Sequence, residues 1–236
     1  IMPSLVGSEM CIRDSHIIVL IFFLLLSHRI GKGALACFFA VSNLLANLFV
    51  TKQISLFTMN ITATDAYTVC AILSLNLIQE YFGKKTASKI IYASTLMLLY
   101  FFIAGQIHLR YIPNAYDETQ YAFQKILSSS PRIVLSSIGI AFVSQKLDLF
   151  FFKFLKKKFY KLSFLQRSSL SFIVSQTIDT VLFTYLAIGH LIKNSGDVIL
   201  FSMIVKMLSF TVGVLMIFLY RKKLTSAYQE LETSVF

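Results

Sequence analysis

The chain has 236 residues, of which 56% are hydrophobic and only 14% charged, and it carries a formal net charge of +11. Soluble domains have about a quarter of their residues charged, so this composition excludes an ordinary water-soluble enzyme and points to a protein that crosses a membrane several times. The basic excess lies in short segments between apolar runs rather than along one helix face, which marks it as topogenic charge and argues against a nucleic-acid surface.

Mostly apolar runs long enough to cross about 30 Å of hydrocarbon fall near 16–30, 33–51, 64–82, 89–109, 132–152, 168–190 and 198–220. Up to seven spans are therefore expected, the first being the weakest. Ahead of them, MPSLVGSEMCIRDS (2–15) resembles a translated adaptor read-through, so residues 1–15 are expected to lie outside the fold. A single membrane domain is expected over 16–223, with a cytoplasmic tail over 224–236. Arg29 and Lys32, then Lys84, Lys85 and Lys89, then Lys153, Lys156, Lys157, Lys158, Lys161 and Arg167, and finally Arg221, Lys222 and Lys223 fall in alternate loops. The opposite loops hold only Lys52, Arg110, Lys125, Arg132 and Lys193, so the positive-inside rule puts the C-terminus in the cytoplasm.

Polar residues inside such spans are costly and default to functional candidates. In the second span Asn43 and Asn47 share a helix face. In the third, Asn76, Gln79 and Glu80 recur at helical spacing before Gly83, and Asp65 stands at the outer end. The 110–131 loop places Tyr121, Ile126 and Leu127 on one face of a short interfacial helix. The fifth span carries VSQKLD (143–148), with Ser144, Gln145 and Asp148 on one face and Lys146 directed elsewhere. The next loop, KFLKKKFYKLSFLQR (153–167), reads as a snorkelling, topology-setting segment. The sixth span carries VSQTID (174–179), repeating the pattern with Ser175, Gln176 and Asp179, and Lys206 stands alone in the seventh.

At 1.5 Å per residue, Asp148 lies roughly 8 Å in from Lys153, and Asp179 about 18 Å in from Arg167, near the midplane. The Ser and Gln of both copies come out at one level, so the copies are expected to form one asymmetric site with Asp179 deep and Asp148 near the cytoplasmic mouth. The plainer readings are that Asp148 is tied to Lys146 or Lys153, that Asp179 pairs with Lys206, and that Glu80 snorkels at a helix end.

Other signals are weak. Cys11, Cys37 and Cys70 are isolated, and His16, His28, His108 and His190 lie dispersed at span ends, so no metal site or disulfide framework is expected. FGKKT (82–86) lacks the first glycine of a phosphate loop because residue 78 is Ile, and no GxSxG or HExxH offers a catalytic centre. The sequon at Asn60, Ile61 and Thr62 is set aside because its loop is short.

The segments SNLLANLFVTKQI, DAYTVCAILSLNLIQEYFGKKTASKII, FVSQKLDLFFFKFLKKK, SSLSFIVSQTIDTVLFTYLA and IVKMLSF, in order over about residues 40–220, resemble the bacterial queuosine precursor transporters, a vitamin-uptake-like integral membrane family. The resemblance implies an all-α, polytopic transmembrane helix bundle with six core spans plus an extra N-terminal one. It implies an inner-membrane transporter of 7-cyano-7-deazaguanine, related 7-deazaguanine bases or queuine, without enzymatic activity or a cofactor. Asn76 stands where many members have Asp, which puts in doubt that a carboxylate is required at that level; Asp65 could supply one instead.

On this reading Asp179 and Gln176 contact the base, Asp148 and Gln145 act as partner or proton relay, and Asn43, Asn47, Glu80 and Asn76 form the supporting wall. A carboxylate can accept from the adjacent N1–H and exocyclic amine of a guanine-like base while an amide serves its carbonyl. The expected partners are a small purine-like molecule and the lipid bilayer, with no nucleic acid, and the pattern is compatible with a homo-oligomer. The alternative is a transporter or substrate-binding membrane subunit for another small heterocycle or vitamin.

Overall fold

The computed structural model describes residues 3–50, 53–56, 59–62, 64–114, 116–127, 131–186 and 195–234. Helices α1 (Pro3–Ile30) and α2 (Lys32–Leu48) are followed by strands β1 (Gln53–Leu56) and β2 (Met59–Thr62). Then come α3 (Asp65–His108), α4 (Gln120–Leu127), α5 (Pro131–Lys158), α6 (Phe164–Leu186) and α7 (Ser195–Ser234). The expected helix bundle is present, with one addition: β1 and β2 pair antiparallel, Gln53 opposite Thr62 and Leu56 opposite Met59. Lys52 and Lys193, and the expected end of the sixth span at 187–190, lie outside the described residues.

Among the described residues, Asp65–His108, Val134–Lys158, Phe164–Leu186 and Ser202–Tyr220 are long and apolar enough to cross a membrane, and Ser15–Ile30 and Lys32–Leu48 are shorter apolar helices. At 44 residues α3 is too long for one crossing, and it is broken at Gly83, where φ is 83° and ψ 163°. The side-chain contacts show what the break does. Along the second arm, Lys84 lies over the Phe150 ring and Lys146 over the Tyr92 ring, so this arm runs antiparallel to α5. Ser175 meets Asp148 while Phe164 meets Phe152, so α6 also runs antiparallel to α5. Asn76 bonds Ser168 and Glu80 bonds Arg167, with Asp65 near Asp179, which sets the first arm antiparallel to α6. The two arms of α3 therefore point in opposite directions, and Gly83 is the reversal.

Both glycine turns, Gly83 and Gly31 (φ 122°), sit in a backbone region open essentially to glycine alone. They close the α1/α2 and the α3 reversals at the same end of the bundle as the α5/α6 loop, the end that carries the basic clusters.

The first arm of α3 is the axis of the bundle. Residues 69–79 are buried without interruption, as befits a helix apolar on all sides. Its three central polar side chains each tie it to a different neighbour: Ser74 donates to the Leu35 carbonyl of α2, Asn76 to Ser168 of α6, and Gln79 to the Leu149 carbonyl of α5. α7 approaches closely, since a Cβ at Gly213 would stand 2.6 Å from Leu73 Cδ1. Phe172 of α6 and Phe210 of α7 stack beside it with ring centroids 3.9 Å apart. The short helix expected in the 110–131 loop is α4: Tyr121 and Ile126 are exposed, and Gln106 of α3 donates to the Leu127 carbonyl at 2.9 Å.

Candidate functional site

The polar residues singled out in the sequence fall into four groups along the bundle. At the basic end Glu80 is a clasp across three helices, its Oε1 2.9 Å from Arg167 Nη2 of α6 and its Oε2 2.8 Å from Lys156 Nζ of α5. Arg167 is largely buried whereas Lys156 is nearly half exposed, so the Arg167 bond is the stronger of the two. Glu80 is thus a bridging residue rather than a free helix-end acid.

The second group joins α2 to α5 and to the second arm of α3. Gln145 donates to Asn43 Oδ1 at 2.7 Å, and Asn43 in turn donates to Ser94 Oγ at 3.3 Å. One turn outward Ser137 donates to Asn47 Oδ1 at 2.9 Å. Asn47 also lines a cavity of about 40 Å³ bounded by Leu98, Phe101, Gln106 and Ile138, large enough for a water or two and not for a bicyclic base.

The third group surrounds Asp148. This residue is fully buried, and its Oδ1 accepts from Ser175 Oγ of α6 at 3.3 Å. The two VSQ copies therefore touch, but Ser175 faces Asp148 and not Ser144, an offset of about one turn from the level matching expected from the sequence. Lys146 does not reach Asp148: its Nζ donates to Ser88 at 2.6 Å and lies 3.7 Å over the Tyr92 ring on the far side of α5.

The fourth group lies toward the opposite end. Lys206 Nζ of α7 is 3.0 Å from Asp179 Oδ2 and donates to Thr180 at 3.1 Å. The buried Asp65, at the start of α3, lies within range of the charges of both Lys206 and Asp179. One ammonium thus bonds Asp179 directly and stands within electrostatic range of a second acid, Asp65. The Asp179 side chain keeps 17% of its surface exposed, so it is Asp148, reckoned nearer the surface, that is the more enclosed acid. Distance from the cytoplasmic charges measures depth along the bundle, whereas burial depends on which neighbour the helix face meets.

Gln176 is buried with Oε1 unpaired, and it lies between the third and fourth groups in sequence. The supporting hydroxyls Ser94, Ser137 and Thr180 are not distinguished by the sequence pattern; Thr180, next to Asp179, is the one most open to being read. Among the described residues no group of three or more His, Cys, Asp or Glu is placed to hold a metal ion.

The family model described as "Putative vitamin uptake transporter" matches residues 62–221, from β2 to the described part of α7. A Bacillus subtilis (strain 168) protein named "Probable queuosine precursor transporter" is 30% identical over 174 residues, covering 72% of this chain and 73% of its own. No solved structure matches. Helices of spanning length, buried polar clusters and these two matches agree: the chain belongs to the queuosine precursor transporter family of vitamin-uptake-like proteins, and is a multi-pass membrane transporter.

Proposed function

We propose that the protein imports a queuosine precursor, a 7-deazaguanine base such as 7-cyano-7-deazaguanine, across a bacterial inner membrane by alternating access. The observation that carries this reading is the cluster of Asp65, Asp179 and Lys206. One lysine neutralises one acid, and the other keeps the acceptor capacity that two adjacent donors of a guanine-like edge require. Gln176, three residues before Asp179 on α6, is buried with Oε1 unpaired and supplies a further acceptor on this reading. Asn43, Asn47, Asn76 and Gln145 then act by holding α2, α3, α5 and α6 together around that place.

The crossings on this reading number six core spans, with the two arms of α3 counted separately, plus α1. Residues 16–223 form the membrane domain, residues 224–236 a cytoplasmic tail, and the basic end faces the cytoplasm by the positive-inside rule. The Glu80 clasp closes that end and opens to release the base. The family description supports a second reading, in which the same path carries another small heterocycle or vitamin.

The test is a strain that cannot make the precursor, expressing this chain and fed the base. Queuosine is expected to return to its tRNA, and Asp179→Asn to abolish the return. If feeding leaves the tRNA unmodified while the protein reaches the membrane, the reading fails.

A further inference from the structure

We propose that Asp148 binds the monovalent cation that drives uptake, with amide and hydroxyl oxygens of α3, α5 and α6 completing its shell; this rests on the transporter reading above. Asp148 is fully buried; the hydroxyls of Ser175 and Ser171 on α6 lie against its carboxyl, and its Oδ2 still lacks a hydrogen bond of good geometry. Among the described residues every charged group on the packed elements is engaged elsewhere or directed away. On its own helix Lys146 turns to Ser88 and Tyr92, and Lys153 is exposed. Glu80 of α3 and Arg167 of α6 bond each other, and Asp179 of α6 is bonded by Lys206 of α7. A carboxylate so enclosed needs a positive charge that no side chain of the protein provides.

Among the described residues the buried side-chain atoms without partners are oxygens, with the exception of Arg167 Nε on α6. Gln79 Nε2 donates to the carbonyl of Leu149, the residue after Asp148, and that bond fixes the amide so that Oε1 is the buried oxygen left unpaired. Asn76 Nδ2 donates to Ser168, leaving its Oδ1 unpaired. Ser144 Oγ, one helical turn from Asp148, is also buried without a partner. A buried carboxylate on helices that also carry unpaired buried oxygens suits a hard cation with oxygen ligands, whether a proton on Oδ2 or a sodium ion shared among those oxygens. A single carboxylate among neutral oxygens matches one positive charge rather than two.

The experiment uses the purified full chain, with no substrate, so that it is independent of which base is carried. Unfolding is followed by the loss of helical circular dichroism. The unfolding temperature is measured against sodium at constant ionic strength with choline, and against pH in sodium-free buffer. The expected result is a rise with sodium or with added protons that is absent in Asp148→Asn. Gln79→Met is expected to weaken a sodium response at least tenfold in concentration and to leave a proton response in place, which separates the two sources. Ser175→Ala, which removes a hydroxyl and no charge, is the second variant should Asp148→Asn not fold, and is expected to shift the response midpoint. If neither cation affects the wild type, or Asp148→Asn or Ser175→Ala responds as the wild type does, the proposal is overturned. Base counterflow and gradient-driven accumulation are both measured for the wild type in proteoliposomes, and Asp148→Asn is expected to lose the gradient-driven accumulation. Absence of both in the wild type would count against the transporter reading instead.

Discussion

Replacing Gly83 by Ala isolates the backbone reversal in α3 from everything around it. A Cβ built at Gly83 meets no atom within 4 Å, so the substitution introduces no clash and removes no contact. What remains is the conformation itself, φ 83° and ψ 163°, a region that costs a residue with a side chain about 1–3 kcal/mol. That corresponds to roughly a 5- to 150-fold loss in the folding equilibrium constant. Gly139, in the middle of α5, is the matched control: a Cβ there also meets no atom within 4 Å, but the backbone is helical. Gly139→Ala is therefore expected to stabilise by about 0.5–1 kcal/mol, because alanine loses less conformational freedom in a helix. Reversible unfolding in mixed lipid and detergent micelles measures both. If Gly83→Ala and Gly139→Ala change stability in the same direction, α3 does not reverse on a glycine-only conformation and the two-arm description is wrong.

Three further outcomes follow from the contacts. Glu80→Gln is expected to cost roughly 1.5–3 kcal/mol by leaving the buried Arg167 short of a charged partner, whereas Lys156→Gln, at an exposed position, should stay within about 1 kcal/mol; a double-mutant cycle separates the two bonds. Lys206→Met leaves Asp65 and Asp179 facing each other without their ammonium, so expression and transport should fall, and adding Asp179→Asn should restore expression more than transport. At the exposed turn before α4, the Thr119 backbone N–H and hydroxyl hold the Asp117 carboxyl below its usual range. Its lowered value means that this contribution is present above the unfolded carboxyl's range and lost as pH falls through the folded one, so Asp117→Ala should speed amide exchange at Thr119 and Gln120 near neutral pH and differ little from wild type in acid.

Hydropathy alone makes the bundle legible, because a hydrocarbon core demands apolar runs of one length and helices that satisfy their own backbone. The reversal at Gly83 is marked by a glycine ahead of two lysines between two apolar runs. The hairpin of β1 and β2 is not marked, since QISL and MNIT continue the end of one apolar run into a short loop. For the polar side chains, the sequence offers the Asp179–Lys206 pair as one reading and leaves most of the other partners open. Lys146, two residues from Asp148, points to Tyr92 because it lies on the opposite side of α5, and Lys206, 27 positions from Asp179, is its partner. Helical spacing says which residues share a face; it is silent on which neighbour that face meets. Asp65 shows the same limit: it stands at a helix start, and only the packing of α3 against α6 and α7 brings it to the other two charges.

The most direct measurement is uptake of isotopically labelled 7-cyano-7-deazaguanine by the purified chain in liposomes, with Asp179→Asn alongside. Saturable uptake by the wild type, competed by unlabelled 7-deazaguanine bases and lost in Asp179→Asn, is the predicted result. Uptake no greater than in protein-free liposomes, from protein that unfolds cooperatively, would contradict the transporter reading.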